Sequence, residues 1–77
     1  MGRMIFCKKL KRYLEGLDEI QYPGEIGKRI YKEISKQAWQ DWLIKQTMLI
    51  NEYALNVLEK EAREFLEKNM IEYFFNE

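Results

Sequence analysis

The sequence predicts an α+β fold that is mainly helical, with a short N-terminal two-stranded antiparallel ribbon packed on about three helices. Three observations carry that expectation. Met4-Ile5-Phe6-Cys7 is an apolar run closed after four residues by Lys8-Lys9, which suits a short strand better than a helix. Tyr22-Pro23-Gly24-Glu25 is the clearest punctuation, because the residue before proline is pushed out of the α region and Pro-Gly suits a turn. Beyond it, apolar residues recur at helical spacing almost to the end.

Taken in order, residues 4–7 form the first strand. Gly16 is the first residue that accepts positive φ cheaply, so the chain is expected to reverse near it and the ribbon to end before Tyr22. An isolated hairpin is marginal in water, so one face should rest on helices. Ile26, Ile30 and Ile34 then recur every fourth residue, with Lys28, Arg29 and Lys32 off that stripe, as in a short amphipathic helix. Ser35 has the chemistry of an N-cap for the next one. Trp39, Trp42, Leu43, Gln46, Leu49, Ile50 and Tyr53 give that helix its inward face, with an end between Asn51 and Asn56. Leu58, Ala62, Phe65, Leu66, Met70, Tyr73 and Phe74 define a third, opposed by Glu59, Lys60, Glu61, Arg63, Glu64, Glu67 and Lys68.

Length and composition narrow the function. Seventy-seven residues suit a single domain, here residues 1–77, whose small core has to be efficient. The chain carries 13 basic and 13 acidic residues, no histidine and one cysteine. Without histidine it lacks the commonest metal ligand and general base, which removes most hydrolase and zinc-site chemistry. One cysteine cannot form an internal disulfide, and a small unstapled domain fits a reducing, cytoplasmic setting. No apolar run approaches the ~20 residues of a spanning helix, and no secretory signal is evident, so no membrane partner is expected. The zero net charge hides a dipole: residues 1–36 hold nine basic and five acidic residues, and residues 37–77 hold four and eight.

Cys7 is the candidate that carries chemistry. Lys8 and Lys9 beside it favour the thiolate, which is the nucleophilic and metal-binding form, whereas free cysteines also simply pack in cores. A metal site would combine Cys7 with carboxylates among Glu15, Asp18, Glu19 and Glu25, a labile set suited to Fe(II) or Mn(II). Lys8-Lys9-Leu10-Lys11-Arg12 invites a nucleic-acid reading, but the balanced charge and acidic second half favour a solvated ribbon face. Gln46, Thr47 and Asn51 suggest a buried hydrogen-bond network anchoring the ribbon or the Pro23 turn. There is no Ser/His or Cys/His pair and no phosphate-binding glycine loop, so no enzyme is expected, and a peroxide-reducing thiol at Cys7 is the sole enzymatic alternative.

Several stretches together resemble a known family: Met4-Ile5-Phe6-Cys7, Glu15-Gly16-Leu17-Asp18, Tyr22 through Tyr31, Ile34-Ser35-Lys36 with Ala38-Trp39 and Trp42, and Gln46-Thr47-Met48-Leu49-Ile50-Asn51-Glu52. The chain is similar over essentially its whole length to the bacterial Fe(2+)-trafficking protein family, also called YggX. The pattern is looser from Tyr53 to Glu61, and relatives continue past Glu77 with a polar tail. The resemblance implies a small cytoplasmic monomer, a non-enzymatic iron-handling protein. Its expected role is to mediate Fe(II) transfer between iron acquisition and iron-requiring processes such as iron–sulfur cluster synthesis or repair, with protection against oxidative damage. It implies weak or transient Fe(2+) binding and partners among iron–sulfur enzymes or cluster-assembly proteins. It also makes Cys7 the redox-sensitive thiol and a candidate metal ligand. The alternative is an interaction module that docks on and protects iron–sulfur enzymes without binding iron.

Overall fold

The computed structural model describes residues 3–76. Two strands, β1 (Met4–Cys7) and β2 (Arg12–Glu15), are followed by α1 (Gly24–Glu33), α2 (Lys36–Glu52) and α3 (Lys60–Phe75). This is the predicted ribbon and three helices. The described residues group into two compact units that divide between Gln40 and Asp41, inside α2.

In the first unit the strands pair antiparallel, with Ile5 opposite Leu14, Phe6 opposite Tyr13 and Cys7 opposite Arg12. Opposed residues share a face, so Met4, Phe6, Tyr13 and Glu15 point outward while Ile5 and Cys7 point toward α1. The reversal falls at residues 8–11, earlier than the glycine suggested. Lys11 takes the left-handed conformation at φ 59°, and its amide bonds the Cys7 carbonyl at 2.7 Å. Gly16 instead closes the ribbon: its amide bonds the Arg3 carbonyl at 2.7 Å, and it bridges to Ser35.

The ribbon is tied to α1 at both ends. The Lys8 amide donates to the Glu33 carbonyl at 2.8 Å, while the Arg3 guanidinium lies 3.8 Å over the Tyr31 ring and donates to the Tyr31 carbonyl. Helix α1 starts at the Pro-Gly turn with Glu25 in its first turn and Lys32 in its last, both favourable to the helix dipole. A Cβ at Gly27 would overlap the Tyr22 carbonyl, so this close approach of turn and helix requires glycine. Ile30 and Ile34 are buried, as the four-residue spacing predicted.

Between α1 and α2 only Ile34 and Ser35 leave the helical path. Ser35 is the predicted cap: its hydroxyl accepts from the Ala38 amide at 3.1 Å, and its carbonyl accepts from the Trp39 amide at 3.0 Å. A serine cap is worth about 1 kcal/mol to its helix. Ser35, Ala38 and Trp39 are all buried, with Leu17 and Cys7, in the core of this unit.

In the second unit Trp42 is fully buried and packs on α3, with ring centroids 5.6 Å from Tyr73 and 6.2 Å from Phe74. Ala62, Leu66, Met70, Phe74 and Phe75 complete the buried face of α3. The expected inward faces need correction in the middle of α2 and at the junction with α3. Leu43 and Tyr53 are exposed, and Leu58 is 84% exposed and precedes α3. Thr47 and Asn51 are exposed too, and the Thr47 hydroxyl donates to the Leu43 carbonyl one turn back at 3.0 Å. The expected buried amide network is therefore not formed. A turn of 100° per residue moves these positions steadily off a stripe that Trp42 and Ile50 share.

Helix α2 ends in a motif that glycine usually closes. The Leu55 amide reaches back to the Ile50 carbonyl at 3.0 Å and the Ala54 amide to the Asn51 carbonyl at 3.4 Å, with Ala54 left-handed at φ 50°. A left-handed alanine costs roughly 1–2 kcal/mol that glycine avoids, less the extra freedom glycine has when unfolded. Ala54→Gly is therefore expected to stabilise the chain by about 1 kcal/mol, read as a raised midpoint in urea unfolding followed by circular dichroism. A lowered midpoint would show that the left-handed turn is not strained.

Candidate functional site around Cys7

Cys7 ends β1 on the inner face of the ribbon, and none of its surface reaches solvent. Its Sγ accepts hydrogen bonds from the amides of Leu10 and Ser35, each at 3.4 Å. The Ser35 hydroxyl and the Lys9 amide add to this set. Two segments far apart in sequence make the seat. Residues 9–10 curl back over the sulfur because the chain reverses immediately after β1, and Ser35 arrives from the junction between α1 and α2.

Burial is the largest influence on this thiol and raises its pKa. The hydrogen bonds together outweigh it, led by the Ser35 hydroxyl, then the amides of Leu10, Ser35 and Lys9, so the thiol ionises below its ordinary range. The source of this stabilisation differs from the one expected. The Lys8 ammonium lies 3.8 Å from Glu33, and the groups that lower the thiol are hydrogen-bond donors, not the charges of Lys8 and Lys9. Ser35, foreseen as a helix cap alone, is also the main partner of the sulfur. A separation of 28 residues leaves no local sequence signal for that contact.

The carboxylates named beside Cys7 go elsewhere. Lys36 Nζ lies 3.0 Å from Asp18 and 3.3 Å from Glu15, and these two, Asp18 first, hold the ammonium pKa above its ordinary value. Glu25 lies 3.5 Å from Lys28 within α1, and Glu19 is exposed. Among the described residues no three His, Cys, Asp or Glu side chains gather where they could hold a metal ion. What the site offers chemically is a single thiol, biased toward the thiolate and enclosed by donors.

An N-terminal strand ending in one buried, hydrogen-bonded cysteine, followed by a Pro-Gly turn and three helices, defines a small α+β protein with a buried thiol in its first unit. A profile of the family described as bacterial Fe(2+) trafficking matches residues 1–77. A protein of Legionella pneumophila (strain Corby) named "Probable Fe(2+)-trafficking protein" is 57% identical over 77 residues, covering 100% of this chain and 86% of its own length. Proteins of the same name from Alkalilimnicola ehrlichii and Burkholderia mallei (strain SAVP1) are likewise 57% identical, with 88% and 85% of their lengths covered. The chain belongs to the bacterial Fe(2+) trafficking family.

The lowered pKa sets a pH dependence. A thiol that ionises more readily folded than unfolded contributes stability that is fully present above the unfolded pKa, about 8.5, and is lost as the pH falls through the folded one. Urea unfolding of the wild type relative to Cys7→Ser is expected to show a stability difference that grows as pH rises toward the unfolded thiol's pKa. A difference that stays flat or shrinks over that window would contradict a stabilised thiolate.

Proposed function

We propose that this protein handles Fe(II) as cargo rather than as a resident cofactor, binding it weakly or transiently and passing it between iron acquisition and iron-requiring processes. Membership of an Fe(2+) trafficking family supports iron handling, and relatives named as trafficking proteins suit a non-enzymatic role. Iron–sulfur cluster synthesis or repair is the process served, with protection against oxidative damage. The partners are iron–sulfur enzymes or cluster-assembly proteins, and the setting is the cytoplasm, where the chain acts as a monomeric single domain.

The observation that carries the role of Cys7 is its seat. Four donors converge on one sulfur and favour the thiolate, the form that reacts with oxidants and binds soft or borderline metals. In this reading the thiol meets metal or oxidant when the turn at residues 8–10 or the Ser35 junction moves aside. A lone thiolate without a preformed ligand set suits a carrier that has to release its ion.

A second reading, an interaction module that docks on iron–sulfur enzymes without binding iron, is favoured by the complete enclosure of Cys7 and by the engagement of Glu15 and Asp18 with Lys36. Anaerobic titration with Fe(II), followed by calorimetry on the wild type and Cys7→Ser, separates the two. Saturable binding that disappears in Cys7→Ser is the expected result. Equal binding by both proteins would move the ion to carboxylates, and heat of dilution alone in both would favour the docking module.

A further inference from the structure

The second unit carries a surface that the thiol site does not explain. Among the described residues, six of the ten large apolar side chains that are exposed lie between residues 43 and 58, including Ile44, Met48, Tyr53, Val57 and Leu58. Scattered apolar residues on a surface need no explanation, but Tyr53 lines an apolar groove with polar residues at its edge, and such a groove marks an interaction site. Where α2 gives way to α3, the chain forms an open groove of about 380 Å³. Tyr53, Leu55, Ala62 and Phe65 give it apolar walls, with Tyr53 and Phe65 in edge-to-face contact at 5.3 Å.

Glu59 and Glu61 also line this groove, and no ion pair to either carboxylate is found among the described residues. The unit as a whole is acidic, since residues 41–77 hold eight acidic and four basic residues. The left-handed Ala54 turn lies in the groove wall between Tyr53 and Leu55. Strain of this kind persists where surrounding structure fixes it, and it clusters at functional sites.

We propose that this groove docks a segment of a partner protein that presents large apolar side chains flanked by lysines or arginines. Apolar side chains would fill the space beside Tyr53 and Phe65, and the cations would meet Glu59 and Glu61. Opposed charge at the rim of an apolar interface selects partners and speeds encounter more than it adds affinity. Two acidic second units would repel, so a second copy could enter the groove only through its basic first unit, an outcome that sedimentation distinguishes. The proposal goes beyond the iron reading and does not depend on it.

The test uses the iron-free whole chain with two synthetic amphipathic peptides of equal length, one of leucine and lysine and one of leucine and glutamate. Binding is followed by amide shifts in two-dimensional NMR spectra. The lysine peptide is expected to bind, with shifts concentrated between residues 53 and 65, and the glutamate peptide is not. Its dissociation constant is expected to weaken about tenfold in Glu59→Lys/Glu61→Lys and by less in Glu59→Gln/Glu61→Gln. Tyr53→Ala, at a side chain that is 59% exposed, should also weaken it with the circular dichroism spectrum intact. Equal binding of both peptides, shifts centred elsewhere, or indifference to charge reversal would overturn the proposal. So would concentration-dependent sedimentation abolished by the same substitutions, which would put a second copy in the groove.

Discussion

The hydrogen-bonded contact between Ser35 and Cys7 is the constraint on which the first unit depends. One serine terminates the path from α1, accepts the Ala38 amide that starts α2 and donates to the sulfur at the end of β1. Ser35 is also bridged to Gly16 at the end of β2. A two-stranded ribbon has too little pairing to stand alone. It persists here because Cys7 and Gly16 are tied to Ser35 between two helices and its turn is bonded to the Glu33 carbonyl at the end of α1. Loss of the hydroxyl would remove a helix cap and a sulfur partner together, so these two contributions are coupled rather than additive.

This coupling gives the thiol its character. Burying a thiol in apolar surroundings makes it inert, and a cysteine at the end of a strand facing a core would ordinarily be so. The same fold that buries Cys7 surrounds it with donors that prefer the anion. Protection from solvent and readiness to ionise are therefore produced by one arrangement. The turn that encloses this thiol also supplies donors that stabilise its anion.

Much of the fold was legible in sequence because its signals are local. The strand at residues 4–7, the Pro-Gly turn, the isoleucine stripe of α1 and the serine cap of α2 each follow from a few adjacent residues, and each is present. The hairpin turn was misplaced because a lysine occupies the left-handed position that glycine takes more cheaply. Thr47 and Asn51 were assigned to the interior by residue type and spacing, but the helix carries them to the surface. At the site, Cys7 could be picked out as the lone thiol. Its partners could not, since Ser35 meets it across 28 residues and the neighbouring lysines that suggested a thiolate turn out not to be its cause.

The most direct test is an ultraviolet titration of the Cys7 thiolate in the folded wild type and in Ser35→Ala, with circular dichroism confirming that both are folded. The account predicts a wild-type midpoint below that of the urea-unfolded chain, and an upward shift in Ser35→Ala as burial regains its influence. Identical midpoints in the two proteins, or a wild-type midpoint at or above the unfolded one, would contradict it.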